Sequence, residues 1–306
     1  MIIIHDTKEF DKTKSTAITI GKFDGVHIGH QLLIADVCSK VDEGLSSLVF
    51  SFTNSPRQYI DHTVDQMILS KDERRSVIED LGVDYFAEVP FNDEFMKLSP
   101  GEFLNLLIMD LNMKHLCVGD DFRFGYKGQG DVLYLQKKSD ELGFSLRVVE
   151  KVKHKDNIIS STYIRDLITE GNVLLAGDLL RRDYRIEGEV VHGKAIGRTL
   201  GIPTINIEPK EDKLLPRFGV YFSTALIEGV SYPSITNIGM KPTVANTNKP
   251  IVESHLLDIN ADLYGKKAEI IFHDKLRDEM KFKDLDELQS RMKTDVLMGK
   301  NWFAER

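Results

Sequence analysis

The run Gly21-Lys22-Phe23-Asp24-Gly25-Val26-His27-Ile28-Gly29-His30 constrains this chain more than any other stretch. The β-branched residues 17–20 before it read as a buried strand. After it, Leu33, Ile34, Val37, Cys38 and Val41 recur at helical spacing. A strand therefore ends and a helix begins around two histidines. Free backbone N–H groups and the helix dipole at such a junction favour a phosphate, and Gly25 and Gly29 let the main chain approach it closely. His27 and His30, three residues apart, can face one anion. As donors or cations they would stabilise charge on a phosphorus under in-line attack. Two other readings stand beside this one: a satisfied histidine near a helix start, and a pair of metal ligands. Against metal, no further His, Cys or carboxylate lies nearby at ligand spacing.

The chain has 306 residues, 42% of them hydrophobic, enough for about two domains with ample cores. It contains no apolar stretch long enough to span a membrane, and residues 1–6, apolar but short and without a basic flank, read as an edge strand rather than a signal peptide. A net charge of −8 argues against general nucleic-acid binding. The mixed cluster Lys71-Asp72-Glu73-Arg74-Arg75 reads as a solvated helix face. Cys38 and Cys117 read as buried thiols, and the expected compartment is the cytoplasm.

Along the first half, strand patterns at 17–20, 47–52, 85–89, 115–119 and 145–149 alternate with helical ones near 30–43, 71–81, 100–112 and 131–142. Such alternation implies an α/β domain, a parallel sheet with helices on both faces whose ligands lie beyond the carboxyl ends of the strands. From about residue 183 the segments become short and β-rich, with Gly, Pro and Asn between them. Helical spacing returns at 284–299, where Leu285, Leu288, Met292 and Val296 form a stripe. This second texture implies a small β-barrel with a terminal helix, and the boundary is expected near 180–184, giving domains 1–182 and 183–306.

Four further segments carry chemistry. Val118-Gly119-Asp120-Asp121-Phe122-Arg123-Phe124-Gly125 ends a strand and by itself is compatible with an ordinary turn. Ser160-Ser161-Thr162-Tyr163-Ile164-Arg165 precedes an apolar helix, where hydroxyls serve either as caps or as partners of an anion that Arg165 also reaches. The stretch 193–206 holds Gly193, Gly197 and Gly201 with Lys194 and Arg198. It is either a bent barrel loop or a nucleotide wrap, and it lacks the Walker ending. Thr204 and Asn206, two apart on an extended segment, share a face and offer oxygens to Mg²⁺. Glu253 alternates with apolar neighbours, as a solvent-facing strand residue would.

Taken together these segments resemble the bifunctional riboflavin kinase/FAD synthetase family of bacteria over nearly the whole chain. The resemblance implies a Rossmann-like nucleotidylyltransferase domain followed by a riboflavin kinase barrel. ATP and Mg²⁺ would serve both steps: riboflavin would be phosphorylated to FMN, and FMN adenylylated to FAD with release of pyrophosphate. In the first domain it implies catalytic roles for His27, His30 and Arg165. Nucleotide contacts would come from Gly21, Phe23, Asp24, Gly25, Gly29, Ser161 and Thr162, and flavin contacts from Asp121, Phe122 and Phe124. In the second it implies Glu253 as general base, Thr204 and Asn206 as metal ligands, Gly193, Lys194, Gly197 and Arg198 as nucleotide contacts, and Arg277 as part of a flavin-binding flap. Asn237 and its neighbours up to Thr243 match a further family segment. The implied partners are riboflavin, FMN and ATP, with no nucleic acid and no membrane, and a homo-oligomer is left open. Two positions depart from the pattern: Tyr163 where Arg is common, and Thr53-Asn54-Ser55-Pro56-Arg57 where an aspartate and a Pro-His-Pro run are usual. They keep open a chain with kinase activity only. A non-catalytic flavin or nucleotide regulator is the remaining rival.

Overall fold

The structure is a computed structural model, and it describes residues 1–54, 59, 66–193, 196–240, 250–259 and 263–306. Contacts divide it into two compact units, Met1–Ser161 and Thr162–Arg306.

The first unit is a six-stranded parallel sheet in the order β1-β4-β3-β2-β5-β6. Its strands are β1 (Ile2–Ile4), β2 (Thr16–Ile20), β3 (Ser46–Phe52), β4 (Tyr85–Val89), β5 (Met113–Gly119) and β6 (Ser145–Val149). Residues 2–4 do form an edge strand, as the sequence implies. Strand alternation sorts the side chains to two faces. Ile18, Ile20, Leu116 and Val118 pack towards α4 (Pro100–Asp110) and α5 (Val132–Leu142), while Ala17 and Cys117 meet Leu33 and Val37 of α1 (Ile28–Cys38). Between these helices lie α2 (Lys71–Asp80) and the short α3 (Asp93–Lys97). Ser99 opens α4 as a capping box with Glu102, and Pro100 sits in its first turn. Because β2 pairs with β3 on one side and β5 on the other, the chain reverses its winding direction there, and the crevice opens at the carboxyl ends of those strands.

Three local expectations change. The helical spacing to Val41 does not extend α1, since residues 39–43 tighten into a 3₁₀ turn that leaves Val41 exposed. Cys38 is only half-buried, although Cys117 is fully so. In α2, Glu73 and Arg74 are buried rather than solvated: Glu73 closes a capping box on Ser70, and Arg74 pairs with Glu88 of β4.

The second unit is a closed antiparallel barrel, β10-β13-β12-β11-β14-β9. These strands are β9 (Tyr184–Val191), β10 (Ile205–Ile207), β11 (Gly219–Ile227), β12 (Val230–Met240), β13 (Pro250–Leu256) and β14 (Lys267–Asp278). A two-stranded ribbon, β7 (Lys153–His154) with β8 (Asn157–Ile158), precedes α6 (Ser161–Glu170) and α7 (Val173–Leu180). The division at 161/162 differs from the expected 182/183 because α6 and α7 belong with the barrel. Arg217 donates its backbone N–H to the Ile168 carbonyl at 3.2 Å, and α7 packs along β9 and β14. The terminal helix, α8 (Leu285–Ala304), lies on the outer face, where Val296, Trp302 and Phe303 meet Val220, Phe222 and Ile235. At Gly299 a Cβ would come within 2.7 Å of Ile235, so glycine permits the close approach. Leu285 of the apolar stripe is exposed.

The barrel interior is not wholly apolar. Ser223, Ser234, Thr236 and Ser254 are fully buried and bonded in series, with Ser223 to Ser234 at 2.9 Å, Ser223 to Thr236 at 2.7 Å, and Thr236 donating to Ser254 at 2.9 Å. Replacing Thr236 with Val keeps the shape but leaves hydroxyls on both sides short of a partner, at a cost of about 1–3 kcal/mol. Urea unfolding of the variant should show the midpoint lowered accordingly with an unchanged slope.

Candidate active sites

In the first unit the sequence run at 21–30 forms a strained turn. Phe23 (φ 50°), Gly25 (φ 86°) and Val26 (φ 41°) all adopt left-handed backbone, which only glycine accepts without penalty. For each of the other two the cost is of order 1–3 kcal/mol, held only where the surroundings over-determine the conformation. Those surroundings are visible. Phe23 and Val26 are fully buried, Ile68 donates its N–H to the Asp24 carboxylate at 3.0 Å, and Gln31 donates to the Val26 carbonyl at 2.9 Å. Since Phe23 and Asp24 are both buried, what they offer a nucleotide is backbone rather than side chain.

The turn delivers His27 as N-cap of α1, where its ring makes no capping bond, and His30 in the first turn. The two imidazoles stack with centroids 3.8 Å apart. Two like charges at about 4 Å repel by about 4 kcal/mol at an effective dielectric near 20, so an anion beside them is what would let both carry charge. A Cβ on Gly29 would sit 3.1 Å from the His27 ring, so glycine leaves space for that imidazole. Ser161 donates to the Asp24 carbonyl at 2.8 Å, which ties the start of the second signature to the turn. Thr162, Tyr163 and Arg165 follow on α6 within the second unit, with Thr162 exposed and Arg165 half-buried.

Beyond the ends of β2, β3, β4 and β5 opens a cavity of about 640 Å³. Its wall is aromatic: Phe50, Phe52, Phe91, Phe95, Phe122 and Phe124 contribute, with Phe122 and Phe124 stacked at 5.5 Å. Lys22, Arg123 and Lys127 supply cations, and none of the described lining residues is acidic. Phe122 and Phe124 both line this cavity. Asp121 does not line the cavity; its carboxylate pairs with Lys151 at 2.8 Å. Phe91 and Phe95 carried no sequence signal beyond being apolar. Asn54, in the departing segment, clamps Phe91 by accepting from its N–H at 3.0 Å and donating to its carbonyl at 3.2 Å. Residues 55–57 lie outside the described residues, as do Lys194 and the segment 241–243, and the Arg198 side chain is not described.

In the second unit Thr204, Asn206, Glu253 and Arg277 come together in one cavity of about 280 Å³, with Gly197 in its wall. It lies on the outer face of the barrel, beneath α8. Strand register builds it: Asn206 stands opposite Glu253 on β10 and β13, and Glu253 opposite Asn237 on β13 and β12. Glu253 therefore faces the cavity and not bulk solvent. Asn206 is 4% exposed, and its Oδ1 has no hydrogen-bond partner among the described residues. A buried acceptor left unsatisfied calls for an ion or water. Oxygen donors suit a hard divalent cation, so Thr204 and Asn206 fit Mg²⁺. A Cβ on Gly193 would collide with the Asn206 amide at 2.3 Å, and one on Gly197 with the Ile202 carbonyl at 2.3 Å; the glycines allow the loop to close over these groups. Ile205 is buried on the barrel side of its strand, whereas Ile202 lines the cavity.

The other end of the cavity is apolar, formed by Val220, Ile235, Leu288, Met292 and Val296. Arg277 sits at its edge with its guanidinium already engaged. Nε and Nη2 donate to the buried Asp295 carboxylate of α8 at 2.7–3.1 Å, Nη1 donates to the Asp278 carbonyl at 3.0 Å, and Arg291 also reaches Asp295 at 3.1 Å. Asp295 escaped the sequence reading, and Met292 entered it only as part of the apolar stripe, because helical spacing marks a buried face without saying what lies under it.

The family models for FAD synthetase and riboflavin kinase match residues 9–163 and 180–303 respectively. The bifunctional riboflavin kinase/FMN adenylyltransferase of Pseudomonas fluorescens is 37% identical over 91% of this chain and 90% of its own. That of Bacillus subtilis is 34% identical over 96% and 94%. The chain belongs to the bifunctional riboflavin kinase/FMN adenylyltransferase family. A crystal structure of a macrolide-efflux protein from Streptococcus pneumoniae, 30% identical, superposes with a TM-score of 0.90 over 98% of this chain and 99% of that one. No helix among the described residues here is long and apolar enough to cross a membrane. The matched segments place the aromatic cavity in the synthetase half and the Asn206–Glu253 cavity in the kinase half of the family's arrangement.

His255, two residues beyond Glu253, is a strut of the kinase half. It lines the cavity, and its Nδ1 lies 2.7 Å from the Pro203 carbonyl. Burial pushes its imidazole below the ordinary value, an effect partly offset by that bond. The fold thus prefers neutral His255, so its contribution is present above about pH 6.5 and lost as acid protonates the unfolded chain first. Between about pH 7.5 and about pH 5.5, the wild-type melting temperature should fall more steeply than that of His255→Gln. Parallel profiles would show that another group governs the slope.

Proposed function

We propose that this chain makes FAD from riboflavin in two ATP-dependent steps, FMN synthesis in residues 183–306 and FMN adenylylation in residues 1–182, in the cytoplasm. The observation that carries the reading is the convergence of Thr204, Asn206 and Glu253 on one cavity with a polar and an apolar end. That division suits a flat aromatic ring with a polyol tail.

In the kinase step, Glu253 accepts the proton of the ribityl terminal hydroxyl as that oxygen attacks the γ-phosphorus of ATP, and ADP leaves. Thr204 and Asn206 would hold Mg²⁺, which neutralises phosphate charge when bound. The glycine loop at 193–201 closes over the nucleotide, with Gly193, Lys194, Gly197 and Arg198 as its contacts. Val220, Ile235 and the α8 side chains exclude water from the ring.

In the adenylyl step, a phosphate oxygen of FMN attacks the α-phosphorus of ATP and pyrophosphate leaves. The attacking group is already an anion, so no strong base is needed. Positioning and charge stabilisation carry the rate, the work of His27, His30, the amino end of α1 and Arg165. The aromatic cavity takes the flavin ring. Its three cations favour the phosphorylated form over riboflavin, in a chain whose net charge is −8. Each half positions its own ATP, with FMN the product of one step and FAD of the other, and no nucleic acid or membrane takes part.

Incubating the protein with riboflavin, ATP and Mg²⁺ and resolving the flavins tests the whole reading. FMN and FAD together are expected. FMN alone would favour the kinase-only alternative, and neither product would leave a binding protein. Glu253→Gln keeps shape but cannot accept the proton, so riboflavin turnover should fall about 10²–10⁴-fold, with FAD formation from supplied FMN unaffected. The converse holds for His27→Ala with His30→Ala: FAD formation should collapse while riboflavin phosphorylation persists.

A further inference from the structure

The charged run of α2 hides a group aimed at the synthetase turn. Arg74 is 3% exposed and Glu88 fully buried. Arg74 Nη2 bonds one Glu88 oxygen, while Arg75 takes the other with its Nε at 3.0 Å. With both carboxylate oxygens so bonded, the Arg74 fork has a fixed orientation, and its Nη1 donates to the Lys22 carbonyl at 3.0 Å. A buried pair of this kind contributes little net stability compared with apolar side chains of the same volume. Stability alone therefore leaves the pair unexplained.

The place of that carbonyl supplies a reason. Gly21 and Lys22 line the aromatic cavity, and Phe23, the next residue, begins the left-handed turn that delivers His27 and His30. The Arg74 bond, shorter than the one Ser51 Oγ donates to the same carbonyl at 3.5 Å, thus anchors the wall of the flavin cavity and the entry to the phosphate site together. We propose that Arg74, oriented by Glu88, is a positioning residue for FMN adenylylation. It holds the Lys22 carbonyl so that the strained turn stays in its reactive geometry. This inference rests on the adenylyltransferase reading above.

The test uses the full chain and both of its activities. Arg74→Met with Glu88→Leu replaces the pair by apolar volume and leaves Arg75, which is partly exposed, to water. Expected is a folded protein with normal riboflavin phosphorylation, whose kcat for FAD formation from supplied FMN falls by about 10–10²-fold, the cost of a misplacement near 1 Å. The KM for FMN and ATP should change far less. Arg74→Lys keeps a cation beside Glu88 but cannot span both partners, so its kcat should fall in the same direction by a smaller factor. Normal kcat in the folded double variant overturns the proposal, as does a parallel loss of both activities. Should the double variant melt below assay temperature, Arg74→Lys decides: unaltered kcat there refutes the role. A wild-type protein that makes FMN but no FAD would instead refute the reading on which the proposal rests.

Discussion

The two-residue period of an extended strand decides where the kinase chemistry of this chain can lie. On β13, Val252, Ser254 and Leu256 enter the barrel while Ile251, Glu253 and His255 face the cavity under α8. A slip of one residue would exchange the two sets, burying a carboxylate in the lumen and turning Val252 towards the cavity. An all-apolar interior tolerates such a slip better than one containing the Ser223, Ser234, Thr236 and Ser254 hydroxyls, which find partners only in the observed register. The polar core is thus a register device. What it protects is the row Asn206, Glu253 and Asn237 on the opposite face, so interior stability and exterior chemistry have one cause.

The first unit solves a different problem with backbone rather than side-chain register. A parallel sheet leaves its crevice where winding reverses, between β2 and β5, but a crevice alone gives no phosphate site. The turn after β2 has to present two imidazoles and the start of α1 within a few residues, and it does so by taking left-handed conformations at Phe23, Gly25 and Val26. Burying Phe23 and Val26 completely offsets part of that strain, because leaving the conformation would also expose both side chains. The same residues that look like filler between glycines are the ones that make the geometry persist.

Much of this was legible in the sequence, and the exceptions share a physical origin. Strand alternation, the histidine run, the Ser99-Pro100 helix start and the spacing of Thr204 with Asn206 are local signals, and each appears where expected. The readings that changed depend on partners far along the chain. Arg74 looks solvated within Lys71-Asp72-Glu73-Arg74-Arg75 until Glu88 on a neighbouring strand is in view. Nothing near Asp121 announces its pairing with Lys151, and nothing within α6 and α7 announces the contacts they make with the barrel. Phe91 and Phe95 were invisible for another reason: no spacing rule distinguishes a phenylalanine in a core from one on a cavity wall.

The two cavities, on unrelated folds, have one arrangement in common. Beside the first, through the Lys22 carbonyl, and at the edge of the second, a buried carboxylate takes two arginines and fixes the orientation of one of them: Glu88 for Arg74, Asp295 for Arg277. An arginine so held is no longer a free counterion for phosphate, since most of its fork is already engaged and its charge is largely matched. It serves as a rigid planar element with one or two N–H groups left at a set position. For Arg277 this bears on the flavin-flap role that the family resemblance implies. Contact with a ring through the guanidinium face remains available, whereas bidentate capture of a phosphate would require Asp295 to release it, leaving that buried carboxylate with Arg291 as its one arginine partner among the described residues. The terminal helix therefore belongs to the cavity of the kinase half by more than apolar cover: without Asp295 on α8, nothing else among the described residues holds Arg277 at the cavity edge by its Nε.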